Sequence, residues 1–206
     1  FTSLISLAHE LMQVLSDKRQ KRGNIDLTVK ESNITVDEKG VIEIKPRSGV
    51  TAYKIIEEFM ILANVTVAEY LGYLSLPCMY RVHGEPTQEK LEIFYSFLNS
   101  LGVKYSKKRD EIYPKDFQKI LKAEKDKPYF SVINKVMLRT MQKAKYSPEN
   151  VGHFGLSEKN YCHFTSPIRR YPDLQIHRII KENLQNRLSQ SFEKALEYFP
   201  PSIKNE

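Results

Sequence analysis

Two adjacent arginines, Arg169 and Arg170, stand in the stretch HFTSPIRRYPDL between two prolines. A guanidinium presents a planar fork of N–H donors that matches two oxygens of a phosphate. Pro172 suits the first turn of a helix and not its interior, so the residues before it are predicted to form a stiff turn at a helix N-terminus. Such a terminus favours anions. These residue types indicate a phosphate-binding turn; the alternative is that both arginines pair with local carboxylates.

Other residues whose side chains could bind a metal ion or contact a base form weaker patterns. His153, Cys162 and His163 lie close in sequence, but a structural zinc ion needs four ligands and no fourth is suggested, so packed or hydrogen-bonded histidines are expected. Tyr80 and His83 in MYRVHGEP could stack on or hydrogen-bond to a base, and core packing of Tyr80 is the alternative. The sequence contains no aspartate cluster of the kind used by two-metal phosphodiesterases. We therefore predict a phosphate clamp without metal ligands of its own.

The composition is that of a basic, folded chain of 206 residues. A hydrophobic fraction of 41% and an aromatic fraction of 11% suit a packed core and exclude wholesale disorder. The formal charge of +7 favours polyanionic partners such as nucleic acid. Cys78 and Cys162 are far apart, which predicts reduced thiols of a cytoplasmic protein. No apolar stretch approaches the roughly 20 residues that span a bilayer.

Hydrophobic periodicity predicts the elements that must position these residues. Alternating β-branched stretches between residues 25 and 46 indicate a short antiparallel hairpin, and MYRVHGEP is predicted to be extended. The clearest helix covers 51–73, and its wide apolar stripe predicts burial over much of its surface. The other predicted helices are 3–21, 87–101, 115–123, 128–145, 172–188 and 191–198. The expected fold class is α+β, mostly helical with a small antiparallel β element, in a single unit.

Three stretches together resemble the later part of the RNB catalytic domain of the RNase II and RNase R exoribonucleases. They are EEFMILANVTVAEYL, MYRVHGEP and LRTMQKAKYSPENVGHFGLSEKNYCHFTSPIRRYPDLQIHR. The forms YSPENVGHFGL and HFTSPIRRYPDL are closer to the bacterial RNase R branch. The resemblance runs from the first helix to about residue 188, and its last stretch is long and specific.

The resemblance implies a processive hydrolase that degrades RNA from the 3′ end to nucleoside 5′-monophosphates. It implies action on single-stranded RNA and on structured RNA with a single-stranded 3′ tail. In that family an aspartate cluster holds Mg²⁺, and the first arginine of SPIRR contacts the phosphate at the scissile bond. That position is Arg169 here, which we expect to be catalytic. We expect Arg170, Ser166, Tyr80 and His83 to contact RNA.

The match to that family is incomplete. The aspartate cluster and the tyrosine that stacks on the 3′ nucleotide belong to an earlier part of the domain, and nothing here matches them. The cold-shock and S1 domains are absent from the sequence as well. We therefore expect residues 1–206 to be a C-terminal portion of an RNB domain, inactive alone, with Mg²⁺ bound by other residues of the parent protein. The alternatives are a non-catalytic RNA-binding or scaffolding protein and a basic helical interaction module without an RNA role.

Overall fold

A computed structural model of the chain describes residues 2–27, 32–36, 40, 42–46, 51–105 and 112–185. Within these ranges the chain is mostly helical, with four short strands. The helices are α1 (Thr2–Arg22), α2 (Thr51–Tyr73), α3 (Gln88–Ser100), α4 (Pro114–Glu124), α5 (Phe130–Thr140) and α6 (Tyr171–Leu184). The strands are β1 (Ser32–Val36), β2 (Ile42–Pro46), β3 (Tyr80–Val82) and β4 (Lys145–Ser147). The predicted α+β class is confirmed.

The strands form two separate antiparallel pairs. β1 pairs with β2 in the register Ile34↔Ile44, which confirms the predicted hairpin. β3 pairs with β4, and Arg81 lies opposite Tyr146. Isolated bridges from Tyr80 to Cys162 and from His83 to His153 extend this second pair. As a result, β3 and the adjacent His83 are paired with β4, His153 and Cys162. All three precede residues 165–171, which we call the arginine turn.

The described residues form two hydrophobic core clusters. The first joins α3, α4 and α5, and its Phe94 and Phe117 rings stack with centroids 5.6 Å apart. The second joins α2 and α6 across β3, and its buried members are Ala68, Leu71, Cys78, Met79, Cys162, Ile176 and Ile179. Full burial of the Leu, Met and Ile side chains in this cluster contributes about 1.5–3 kcal/mol each. The second cluster therefore fixes the position of α6, at whose N-terminus the two arginines lie.

The predicted helix over 128–145 is wrong at its C-terminal end. α5 stops at Thr140, and Met141 is extended with φ −63° and ψ 151°. Residues Lys145–Ser147 form β4 instead, because their backbone groups find partners on β3. A non-local pairing of this kind overrides the local helical pattern. This change places Tyr146 beside β3.

The expectation that α2 is buried over much of its surface is also wrong for the described residues. Its buried residues are Glu58, Asn64, Ala68 and Leu71, of which the last three form one stripe. Ile56 remains 57% exposed, and Leu62 is 44% exposed. α2 packs against α1 and the second cluster, and these contacts bury only part of its wide apolar stripe.

The other helix predictions agree with the structure to within a few residues. α6 begins one residue before the predicted Pro172 and is described as far as Leu184. The predicted helix over 191–198 lies outside the described residues. Among the helices that are described, none is both long and apolar enough to cross a membrane.

Candidate phosphate-binding site

The carboxylate of Asp173 holds the arginine turn against the first turn of α6. Asp173 is fully buried. Its Oδ1 accepts hydrogen bonds from the Ser166 backbone N–H at 2.8 Å and from the Arg170 guanidinium at 2.8 and 3.2 Å. The backbone N–H groups of Arg169 and Arg170 donate in turn to the Ser166 carbonyl. The turn predicted from Pro167 and Pro172 is therefore present, and a charge-assisted network closes it.

The two arginines have different environments in this turn. The Arg170 side chain is only 20% exposed and forms an ion pair with Asp173 at 2.8 Å. Arg169 is exposed and forms no ion pair with any described residue. The alternative of pairing with a local carboxylate therefore holds for Arg170. Arg169 projects from the same fixed backbone with its guanidinium available to an anion.

Asn64 on α2 anchors the segment that leads into the turn. This side chain is buried, and its Oδ1 accepts the Phe164 backbone N–H at 2.9 Å while its Nδ2 donates to the Tyr161 hydroxyl at 3.1 Å. On the other side, the Phe164 ring stacks on His177 of α6 with centroids 4.0 Å apart. Contacts from both helices hold residues 161–164, which limits where Arg169 can project.

Three residues beside the turn were not predicted as site residues: Arg81, Tyr146 and His163. The Arg81 guanidinium lies 4.8 Å from the centroid of the Tyr146 ring, a cation–π geometry. The Tyr146 hydroxyl and His163 Nδ1 are hydrogen-bonded at 2.8 Å. Burial raises the pKa of Tyr146, and the nearby charges of Arg81, Arg170 and Arg169 oppose that rise. The β3–β4 pairing thus brings Arg81 over the Tyr146 ring.

His163 and His153 near the turn are packed histidines with lowered pKa values. Burial lowers the pKa of His163 to about 4, and the Arg170 charge lowers it further. Burial lowers the pKa of His153 to about 3, with His83 as the next cause. The rings of His153 and Tyr161 meet edge to face at 5.2 Å. The hydrogen bond between the Tyr146 hydroxyl and His163 Nδ1 agrees with the expectation of hydrogen-bonded histidines.

These lowered pKa values predict a loss of stability in mild acid. An unfolded histidine takes up a proton near pH 6.5, whereas folded His163 does so only near pH 4. Between these values the unfolded state binds more protons, so the free energy of unfolding falls as the pH falls. Urea unfolding of the protein at several pH values between 7.5 and 4 should show this decrease. His163→Gln, which keeps polar atoms able to hydrogen-bond Tyr146, should reduce it. An unchanged pH dependence in His163→Gln would contradict the assignment.

The remaining predicted RNA contacts are placed differently from Arg169. Tyr80 is half-buried and packs against the second hydrophobic cluster, and burial raises its pKa. His83 is buried, and its Nδ1 accepts the Gly155 backbone N–H at 3.0 Å. Ser166 acts through its backbone in closing the turn. Their contacts with RNA, like the catalytic role of Arg169, stay predictions.

The described residues do not provide a set of metal-ligating side chains that fits a magnesium ion. No group of three or more His, Cys, Asp or Glu side chains that could hold a metal ion occurs in the described part of the chain. The buried Asp173 carboxylate is engaged by Ser166 and Arg170. The Cys162 thiol is buried and donates to the Asn64 carbonyl at 3.3 Å. A metal ion used by the parent protein would need ligands from other residues.

The sequence matches the RNB domain model over residues 2–186. It is 44% identical to Ribonuclease R of Aquifex aeolicus over 195 residues, which covers 94% of this chain and 27% of the relative. It is 46% identical to Ribonuclease R of Thermotoga maritima over 187 residues, which covers 90% of this chain and 26% of the relative. The chain therefore spans about a quarter of the length of these curated relatives.

The fold is similar to solved RNase R structures. Mycoplasma genitalium RNase R in complex with ribose-methylated single-stranded RNA superposes with a TM-score of 0.86 at 34% identity, over 94% of this chain and 30% of that one. The yeast pseudonuclease Ssd1 has a TM-score of 0.66 at 21% identity over 93% of this chain and 24% of that one, which shows a shared fold alone. Because the family model covers nearly the whole sequence and the solved relatives share the fold, the chain belongs to the RNB domain family.

Proposed function

We propose that this chain is part of a processive 3′-to-5′ exoribonuclease of the RNase R type that hydrolyses RNA to nucleoside 5′-monophosphates. In this proposal Arg169 contacts the phosphate at the scissile bond. The observation that carries the proposal is the exposed Arg169, which has no ion pair among the described residues and projects from a turn closed by buried Asp173. The Ribonuclease R relatives support the choice of reaction.

The role of Arg169 follows from where negative charge builds up during phosphodiester hydrolysis. As water attacks, charge is distributed over the non-bridging oxygens of the phosphate. A guanidinium held at a fixed position stabilises that charge without reorganising during the reaction. Arg170 is already hydrogen-bonded to Asp173 and therefore acts on the shape of the turn. Mg²⁺, which the family resemblance implies, would be bound by residues of the parent protein beyond those described.

The proposed substrates are single-stranded RNA and RNA with a single-stranded 3′ tail. Solved structures of Mycoplasma genitalium RNase R hold single-stranded RNA in one case and double-stranded RNA in another. The proposed compartment is the cytoplasm, because Cys78 and Cys162 are both free, buried thiols. The alternative is a non-catalytic RNA-binding or scaffolding protein.

A degradation assay on the parent protein and on this 206-residue chain tests the proposal. The substrate is a 5′-labelled RNA with a single-stranded 3′ tail, incubated with and without Mg²⁺. We expect the parent protein to shorten the RNA stepwise with Mg²⁺ and release 5′-monophosphates, and the chain alone to leave it intact. RNA binding by the parent protein without shortening would support the scaffolding alternative. Shortening by the chain alone would contradict the assignment of the metal site to other residues.

A further inference from the structure

Asn64 lies in the interior of α2, at a position where an apolar side chain would suit the packing. It continues the buried stripe of Ala68 and Leu71 and is itself only 2% exposed. Asparagine is a poor helix former, and a buried amide without hydrogen-bond partners is costly. The Asn64 amide therefore needs partners, and it finds them in Tyr161 and Phe164, which lie 97 and 100 residues later in the chain.

The two ends of this amide hold one short segment. The Asn64 Oδ1 accepts from the Phe164 backbone N–H at 2.9 Å, and its Nδ2 donates to the Tyr161 hydroxyl at 3.1 Å. The Asn64 backbone carbonyl accepts the Cys162 thiol at 3.3 Å. Because a backbone N–H can only donate, the Phe164 bond also fixes which end of the amide carries the oxygen. One residue of α2 is thus bonded to three of the four residues 161–164.

His177 of α6 holds the other polar group of the Phe164 backbone. Its Nε2 lies 2.9 Å from the Phe164 carbonyl oxygen, and its ring stacks on the Phe164 ring with centroids 4.0 Å apart. A carbonyl oxygen can only accept, so Nε2 carries the proton in this bond. Phe164 therefore donates to α2 and accepts from α6, which fixes its backbone relative to both helices.

Phe164 is the last of these fixed points before the arginine turn. The next backbone anchor is the Ser166 N–H, which donates to Asp173, and the Arg169 N–H donates in turn to the Ser166 carbonyl at 3.2 Å. A shift of Phe164 relative to α2 and α6 would displace the start of this series of bonds and with it the Arg169 backbone. Position matters because a misplacement of about 1 Å at a reacting centre costs about 10²-fold in rate.

Resting on the proposed function, we propose that Asn64 and His177 are positioning residues for Arg169. They hold Phe164 between α2 and α6 so that the Arg169 guanidinium meets the phosphate, and they touch neither the RNA nor the reacting atoms. The competing explanation is that both residues contribute to stability alone. A positioning residue changes the rate constant of the folded enzyme through Arg169, whereas a purely structural residue changes only the folded fraction.

The test uses Asn64→Leu and His177→Phe in the parent enzyme, each alone and combined with Arg169→Ala. Asn64→Leu removes both side-chain bonds at similar size, and His177→Phe keeps an aromatic ring against Phe164 but removes the N–H donor. We expect each variant to lower the single-turnover rate constant on saturating single-stranded RNA by about 10- to 100-fold. The Kd for RNA in EDTA should change by less than about threefold, because affinity depends on many phosphate contacts. In the Arg169→Ala background each should lower the rate constant by less than about twofold further, since the group that it positions is gone.

The matched control is Asn134→Leu, which makes the same substitution at a buried asparagine of α5, a helix of the first cluster. It should leave the rate constant unchanged. An equal loss in Asn134→Leu, a loss of RNA affinity as large as the loss of rate, or the full effect in the Arg169→Ala background would each overturn the proposal. Thermal unfolding checks that the variants are folded at the assay temperature. If Asn64→Leu does not fold, His177→Phe, which keeps the ring stack, gives the result.

Failure of this inference and failure of the proposed function give different results. If Arg169→Ala degrades RNA as fast as the parent, the assigned role of Arg169 fails, and the positioning role fails with it. If Arg169→Ala is slow while folded Asn64→Leu and His177→Phe are as fast as the parent, the positioning role alone is removed.

Discussion

Replacing Arg169 with alanine in the parent enzyme is expected to lower turnover of RNA by about 10²- to 10³-fold, the range found when one fixed transition-state donor is removed. The Kd for RNA should change by less than about threefold, because one phosphate contact among many contributes little to affinity. The physical reason is that, in the proposed role, the Arg169 guanidinium contacts the phosphate on which charge develops, and no described carboxylate forms an ion pair with it. Single-turnover rates at saturating RNA and anisotropy in EDTA separate the two effects.

Two further variants make this test specific. Arg169→Lys should recover little turnover, because an ammonium group lacks the forked pair of donors. Arg178→Ala is the matched control, since Arg178 is also exposed and contacts Gln175 of its own helix at 3.2 Å. Near-normal turnover in Arg169→Ala would remove the assigned role. An equal loss in Arg178→Ala would mean that the effect is one of general charge and not of position.

Replacing Asp173 with alanine is expected to lower the free energy of unfolding by about 3–5 kcal/mol, as when one partner of a buried ion pair is removed. The fully buried carboxylate accepts from the Ser166 N–H and from Arg170, whose side chain is only 20% exposed. Its removal leaves both donors without their acceptor and frees the turn that carries Arg169. Urea unfolding of the protein, followed by tyrosine fluorescence, measures the change in stability.

Two comparisons show whether burial is the cause. Lys119→Ala breaks the exposed pair with Asp116, whose side chain is 39% exposed while that of Lys119 is 76% exposed, and should cost less than about 1 kcal/mol. Adding Arg170→Met to Asp173→Ala should restore part of the lost stability, because no buried cation is then left unpaired. If Asp173→Ala costs no more than Lys119→Ala, the carboxylate does not hold the turn.

The sequence by itself determined the features that depend on neighbouring residues. Helix α2 was predicted with the bounds that it has, and α1 to within about one residue, because helical contacts join residues three or four apart. Pro172 marked the start of α6, since a proline fits the first turn of a helix and not its middle. The stretch around Arg169 also indicated the RNB family, which the family model and the relatives confirm.

The tertiary structure alone decided which residues meet. Arg169 and Arg170 are adjacent and of the same type, and the buried carboxylate of Asp173 pairs with Arg170, whereas Arg169 has no ion pair among the described residues. Arg81 reaches Tyr146 because β3 pairs with β4, and the same pairing ends the predicted helix at Thr140. Ile56 and Leu62 of α2 stay exposed although the apolar stripe of this helix predicted burial. These outcomes depend on contacts between distant segments, whose energies a local sequence pattern does not contain.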